Sequence, residues 1–458
     1  MFEPVTRCDV FLLLVSLVAM AFNGLASPSI SSSGGLVDDE CKFSFAQSIP
    51  DGLVLPPLQH GADLKPTHEV LVDMIDKATS TIRIASFYME LTPQQANLSD
   101  HETAKPGFEV REAIKKAGGR NVNVEIIVDR SNKNSITNEA DIDYLKDVAS
   151  IKRLNIRRLL RSGILHSKFI IVDNSTFYLG SANFDWRSYS QVKEIGVVAH
   201  NCPVLAQDLD KIFQTYSVMS EHEIMPELRE FPEFRTSINL QTPLITNGVK
   251  MFLAGSPPAF NGRDEQATGR SGDIDALLHL IYTANHTIDI SVMNYSPQEE
   301  YGPYKYYWPR IDNALREAAV RRHVRVRLLF SRWSNSKATE SMWYKSLNAI
   351  QSEALEGGGI FVKLYEVPAL DDWQKELPYA RVKHDKYMLT DTGLWLGTSN
   401  WAPGYFTKTC GVSLVMEENH QNQEQPSSSS SSQLIQTMRD VFERDFNSEY
   451  AHELPRDC

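Results

Sequence analysis

One short motif occurs twice in this chain, and the repeat limits its architecture more than any other feature. The first copy is Leu165-His166-Ser167-Lys168-Phe169-Ile170-Ile171-Val172-Asp173, followed by Gly180-Ser181-Ala182-Asn183. The second is His384-Asp385-Lys386-Tyr387-Met388-Leu389-Thr390-Asp391, followed by Gly397-Thr398-Ser399-Asn400. In an extended segment alternate side chains share a face, so His166 and Lys168 point the same way, as do His384 and Lys386. The apolar residues that follow predict strands buried on both faces. An imidazole and an ammonium in such surroundings are costly unless an anion or a partner completes the site.

The segments leading to each copy repeat as well. Apolar spacing predicts a helix over 70–79, a strand over 81–88, a helix over 109–117 and a strand over 122–129. A helix near 141–148 and a further element at 156–160 follow before the first motif. In the second half a helix over 273–284, a strand over 287–292, a helix over 311–320 and strands over 324–330 and 360–364 precede the second motif. This order predicts an α/β fold of two similar α/β/α lobes made by internal duplication, with one active site at their pseudo-twofold interface. The expected lobes are 66–245 and 246–458, preceded by an N-terminal arm over 27–65. A low-complexity stretch over 417–432, ending in serines, reads as a disordered surface insertion.

The N-terminus predicts entry into the secretory pathway. An apolar run from Val10 to Phe22, interrupted by Ser16, is too short to span a bilayer comfortably, and Gly24 and Ala26 suit a signal cleavage after Ala26. Glu3 and Asp9 are unusual for such a leader, so a retained anchor over 1–26 is the alternative. Beyond Cys8 the cysteines are Cys41, Cys202, Cys410 and Cys458, an even number suited to an oxidising compartment. Three pairings are open. Cys41–Cys202 with Cys410–Cys458 would close each half separately and is the expected one. Asn97, Asn174, Asn285 and Asn294 are glycosylation sequons, with Asn174 shielded beside the motif strand. The expected location from these features is the secretory pathway or secretion.

Charge narrows the substrate argument. The net charge of −12 advertises no general basic surface for nucleic acid or membrane, so an anionic substrate needs a local positive pocket. Two His/Lys/Asn sets supply one. Displacement at a phosphodiester needs a nucleophile, an acid for the leaving alkoxide and cations around the phosphoryl oxygens. One imidazole attacks phosphorus while the other gives up a proton and later takes one from water. Lys168 and Lys386 add charge, Asn183 and Asn400 add amide donors, and this inventory calls for no metal or cofactor. Asp173 and Asp391 fall on the opposite face and are expected to anchor the hairpins rather than touch substrate. The aromatic run Tyr301, Tyr304, Tyr306, Tyr307 and Trp308 suits either base stacking or a packed loop.

The doubled His-x-Lys-x4-Asp with Gly-Ser/Thr-x-Asn resembles the phospholipase D superfamily. Ile84-Ala85-Ser86-Phe87-Tyr88, Gly180 through Ser188, Val192-Lys193-Glu194 and Gly397-Thr398-Ser399-Asn400-Trp401 resemble its lysosomal branch, the five-prime exonucleases known as phospholipase D family members three and four. The resemblance runs from about residue 40 to the C-terminus. It implies the duplicated fold, metal-free cleavage through a phosphohistidine, and single-stranded DNA or RNA as substrate, trimmed from the 5′ end at acidic pH. By motif position His166 is the nucleophile, His384 the general acid/base, and Glu194 orients an imidazole. The chain departs from the pattern in a tighter second hairpin, and in Thr409 and Cys410 where a counterpart of Glu194 would lie. Its N-terminal run also looks cleavable, where members of the branch are often anchored.

Two alternatives stay open. The same His pair could act on phospholipid by hydrolysis or transphosphatidylation, or the scaffold could be a noncatalytic binding protein. Membrane contact is expected only through an uncleaved N-terminus, and a homodimer is a further partner left open.

Overall fold

The computed structural model describes residues 29–30, 36–38, 40–62, 64–93, 101–130, 139–261, 268–299, 304–351, 357–419 and 430–454. Two sheets, of nine and eleven strands among the described residues, carry the fold. Their central parts have the same order. In the first sheet the sequence of neighbours is Lys42–Ser48, Val192–His200, Thr176–Gly180, Phe169–Val172, Thr81–Ser86, Asn123–Asp129 and Ser150–Leu154. In the second it is Val249–Ser256, Gly411–Glu418, Gly393–Gly397, Lys386–Thr390, Thr287–Val292, Arg325–Ser331 and Gly359–Tyr365. Each series is antiparallel up to the strand that opens the parallel trio. The lobes are duplicates at the level of strand register.

Helices Thr67–Asp76 and Lys105–Gly119 cover the first lobe, and Asp273–Thr283 and Arg310–Arg321 match them in the second. Val70, Leu71, Met74 and Ile75 form the buried face of the first of these, as their spacing predicts. A continuous apolar core takes Phe169, Phe177 and Ile195 from one sheet and Leu253, Leu414 and Met416 from the other. The lobes therefore share an interior, which fixes the distance between their motif strands.

Several expectations change. The stretch 27–65 is not an arm: Lys42–Ser48 pairs along its whole length with Val192–His200 and is a strand of the first lobe. Ser29–Ile30 and Leu36–Val37 instead extend the second sheet, where Val37 meets Ile245. Leu244–Thr246 turns through Asn247 and Gly248, both at positive φ, and pairs with Val249–Ser256, so the second lobe begins at Leu244. Residues 156–160 form a helical turn, because the Asn155 side chain accepts from Arg158 N at 2.9 Å; the strand lies earlier, at Ser150–Leu154. The expected disordered insertion over 417–432 does not hold at either end. Glu417 and Glu418 finish a strand, Glu417 accepting from His279 at 3.0 Å, and a helix starts at Ser430. Residues 420–429 and the leader 1–26 lie outside the described residues.

Cys41 and Cys202 form the expected disulfide and tie the first strand of the first lobe to the end of its neighbour. The second expected pairing is not described, because one partner, Cys458, lies outside the described residues. Cys410 is a free, fully buried thiol beneath the motif strand. Of the sequons, Asn285 is exposed, while Asn174 is half-buried with its side-chain oxygen accepting from Arg83. Asn294 is 5% exposed and donates to Glu340, a packed position with no room for a glycan in this folded arrangement. Asn97 lies outside the described residues.

Candidate active site

Both motif histidines line one cleft of about 490 Å³ between the lobes, together with Asn183, Asn400 and Glu194. Each lies just before its central strand, in extended backbone that crosses to the other lobe. His166 N donates to Cys410 O at 2.9 Å, and His384 N donates to Lys193 O at 2.8 Å. Each motif thus closes on a strand of the opposite half, and neither lobe could shape its own half-site alone.

The second nitrogen contacts differ, and the difference assigns the tautomers. His166 Nδ1 lies 2.8 Å from Thr398 O, a carbonyl that can only accept. Nδ1 therefore carries a proton, and in the neutral ring Nε2 keeps its lone pair. His384 Nδ1 lies 2.9 Å from both carboxylate oxygens of Glu194, which is fully buried. Glu194 orients that ring and favours its protonated form. The asymmetry has a backbone cause. Ser181 Oγ accepts from Ile195 N as Thr398 Oγ1 accepts from Val412 N, which makes Gly411 the counterpart of Glu194. A Cβ at Gly411 would come within 2.3 Å of Ser399 Oγ, so no side chain fits there. The missing counterpart is at Gly411, not at Thr409 or Cys410.

Lys168 and Lys386 are both completely buried. Lys168 Nζ donates to His166 O at 2.7 Å and sits 5.5 Å from the centre of the Phe87 ring, while Lys386 Nζ donates to His384 O. Burial is the main cause of their lowered pKa values, with mutual repulsion adding for Lys168; Lys386 comes down to about 7 despite attraction from Glu194. Burial likewise pushes His166 well down, reinforced by Lys168, Lys386 and His384. His384 is lowered by burial and by Lys386, against the upward pull of Glu194. Burial opposes ionisation of Glu194, yet His384 and Lys386 outweigh it and hold the carboxyl below its usual value. Four cationic groups held below their ordinary pKa by desolvation and one another form a site that a phosphate anion would relieve. Asn183 and Asn400 face the same cleft; the side-chain oxygen of each is buried without a hydrogen-bond partner among the described residues, an acceptor that a donor such as a substrate hydroxyl or a water would satisfy.

Asp173 and Asp391 stand away from the cleft, as expected, but they anchor the start of the strand that opens each parallel trio, Thr81–Ser86 and Thr287–Val292, rather than their own hairpins. Asp173 accepts from Thr79 N, Thr79 Oγ1, Ser80 N, Ser80 Oγ and Thr81 N at 2.8 to 2.9 Å. Asp391 accepts from the backbone of Asn285, His286 and Thr287. Partial burial opposes ionisation of Asp173, but these donors outweigh it and bring its pKa to about 2. Its stabilising effect is complete above the unfolded carboxylate value and is lost as pH falls through about 2, so the anchor persists in mildly acidic solution. Asp173→Ala is expected to destabilise the chain by about 2 kcal/mol, read as a lower urea midpoint with an unchanged slope.

The aromatic run at 304–308 does not line the cleft. Tyr304 is exposed, Tyr307 stacks on Trp343 and Trp308 on Phe406; Tyr301 lies outside the described residues. The aromatic walls are instead Phe87, Tyr88, Trp333, Tyr379 and Tyr405. Phe87 and Tyr405 flank the His166 ring at 5.3 and 5.1 Å, and Tyr405 OH accepts from Asn400 at 3.1 Å. Phe87 and Tyr88 were visible as the end of a quoted motif, whereas Trp333, Tyr379 and Tyr405 carry no local signal. Tyr88, Asp185 and Arg187 were missed as a unit. Tyr88 OH donates to Asp185 at 2.6 Å, Arg187 holds Asp185 and Glu90, and its Nη1 reaches Pro378 O beside Tyr379.

This fold and this site define a duplicated α/β protein with a single bipartite centre, in which each half supplies one imidazole and one buried ammonium for an anion. Residues 65–369 match the family described as "PLD3/4, PLD-like domain", and the chain belongs to that family. A Xenopus laevis protein named 5'-3' exonuclease PLD3 is 39% identical over 421 residues, covering 90% of this chain and 81% of its own length. A Caenorhabditis elegans protein named a probable phospholipase D is 35% identical, covering 98% of this chain and 77% of its own. Among solved structures, phosphatidylserine synthase of Haemophilus influenzae superposes with a TM-score of 0.53 at 11% identity, covering 84% of this chain and 85% of its own, which supports the fold alone.

Proposed function

We propose that the protein is a lumenal acid phosphodiesterase that removes nucleotides from the 5′ end of single-stranded DNA or RNA through a phosphohistidine. The observation that carries the mechanism is the unequal pairing of the two imidazoles. His166, held on a carbonyl, is suited to present the neutral Nε2, and His384, held on a carboxylate, is suited to carry a proton. Nε2 of His166 attacks phosphorus, the bond to the leaving oxygen breaks, and that oxygen takes the proton from His384. Water then attacks phosphorus, gives a proton to His384, and the P–N bond breaks to restore His166. Lys168, Lys386, Asn183 and Asn400 stabilise the phosphoryl oxygens throughout.

The substrate class and direction are supported by the names of the relatives at nearly whole-chain coverage. Passage through the secretory pathway is supported by the Cys41–Cys202 disulfide and the exposed sequon at Asn285. Acidic pH would also protonate surface carboxylates and weaken the repulsion of a nucleic acid by a chain of net charge −12.

The test uses purified protein at about pH 5 with a 5′-hydroxyl single-stranded oligonucleotide, resolved on a sequencing gel. Stepwise shortening from the 5′ end is the expected result. An unshortened oligonucleotide with turnover of phospholipid would move the reading to the second class, and binding of the oligonucleotide without cleavage would move it to the third.

A further inference from the structure

Beneath the strand that carries His384 lies a buried ionic cluster that the chemistry above does not use. Lys193 Nζ is 3.2 Å from Asp385 Oδ2 and 2.5 Å from Asp445 Oδ2. Lys383 Nζ pairs with Asp385 and lies 3.9 Å from Asp445. None of the four side chains is more than 1% exposed. Ser291 Oγ donates to Asp385 at 2.7 Å, and Arg444 Nε reaches the other oxygen of Asp445 at 3.1 Å.

The duplication supplies an internal control. The bond from His166 N to Cys410 O corresponds to the bond from His384 N to Lys193 O, and the bridge of Leu165 with Cys410 to the pairing of Lys383 with Lys193. The positions matching Lys193, Lys383 and Asp385 are therefore Cys410, Leu165 and Ser167. All are uncharged; Ser167 Oγ meets Tyr216 OH at 3.0 Å and donates to Cys410 O at 3.2 Å. The fold can be closed in this place without a buried Lys–Asp cluster, since it does so once; the carboxylate that lies there, Asp129, accepts from Leu165 N at 2.7 Å and meets no lysine at the matching positions. A buried ion pair in place of a neutral set brings no general gain in stability, because desolvation offsets the attraction.

What the charges do have is geometry. Side chains alternate along a strand, so Lys193 and Glu194 leave opposite faces of the same backbone, as Asp385 does between His384 and Lys386. Glu194 holds His384 from the cleft side, while Lys193 and Lys383 clamp Asp385 from below. Any slip between the strand of Glu194 and the segment of His384 would part buried opposite charges, which costs far more than parting neutral groups. We infer that Lys193, Lys383, Asp385 and Asp445 are positioning residues that lock His384 against Glu194, so that its proton is delivered to the leaving oxygen. The His166 side, which needs only a neutral ring, does without them.

This inference rests on the proposed function, in which His384 is the acid. Its test compares the wild type with Lys193→Met and with the double variant Lys383→Leu, Asp385→Ser, which installs the first lobe's residues and keeps the charge balance. Two substrates are used: the single-stranded oligonucleotide, whose alkoxide needs a proton, and a nucleoside p-nitrophenyl phosphodiester, whose nitrophenolate departs without one. The expected result is a fall of about thirtyfold or more in kcat on the oligonucleotide, with KM little changed. The pre-steady-state burst of nitrophenolate should stay within about threefold of the wild type. Equal losses in both readouts, or no loss in either, would overturn the inference. So would failure of both variants to fold, judged by thermal melting, because the cluster would then serve stability alone. Only a wild type inert toward the oligonucleotide would remove the proposed function itself, and the inference with it.

Discussion

His166→Ala is expected to lower turnover of a single-stranded oligonucleotide on the order of 10⁴-fold or more, with the chain still folded. The ring is 5% exposed and flanked by Phe87 and Tyr405, and its loss leaves a small cavity rather than an unpaired charge, because burial and the neighbouring cations favour the neutral form there. Removing it takes away the atom that would bond to phosphorus, and neither lysine can replace it from its place on a backbone carbonyl. His384→Ala should also stop turnover of the oligonucleotide, but at a different step. Given a nitrophenyl diester, this variant should form the phosphohistidine and then stall, since no base remains to activate water. Quenching in alkali, which preserves phosphohistidine, and detecting labelled protein separates the two. Label trapped on the His166→Ala chain, or absent from His384→Ala, would reverse or remove the assignment of roles.

Glu194→Gln should have the second largest effect, a fall in kcat on the order of 10²-fold with a displaced pH profile. The sign follows from the contacts. Glu194 stabilises protonated His384, against burial and Lys386, which both favour the neutral ring. An amide in its place removes the upward pull, so the His384 pKa falls and less of the acid is protonated at any given pH. The alkaline limb of the pH–rate profile, which reports that proton, should therefore move to lower pH, while the acid limb set by His166 changes little. A symmetric loss with both limbs unmoved would show that Glu194 holds the fold but does not tune the acid. Measuring kcat against pH for wild type and variant decides it.

Much of this was legible in the chain itself. The repeated His-x-Lys strand with its Asn turn was sufficient to predict two duplicated α/β lobes and a site shared between them, because a buried strand carrying His and Lys on one face has no stable explanation without a partner. That Asp173 and Asp391 face away from the cleft followed from strand alternation, but their hold on the segments at Thr79–Thr81 and Asn285–Thr287, rather than on their own hairpins, did not. Local signals located the helices and central strands to within a few residues, since apolar periodicity survives whatever the tertiary context. Lys42–Ser48 was hidden because a stretch flanked by serines and prolines gains strand character only through its long-range pairing with Val192–His200. The burial of Cys410 was hidden for a related reason: counting cysteines cannot show that one thiol is sealed under a motif strand.

The sequence by itself determined the inventory: two imidazoles, two ammoniums, two amides and a carboxylate at Glu194, in a duplicated frame. Only the tertiary structure decided which imidazole meets that carboxylate, because His384 and Glu194 come from different lobes and their contact depends on how the sheets share one core. It also decided that His166 closes on a carbonyl above Gly411, where no side chain fits, and that charges gather beneath one histidine and not the other. Strand periodicity is a local property and can be read along the chain. The division of labour between two equivalent motifs depends on what faces each across an interface, and only packing creates that interface.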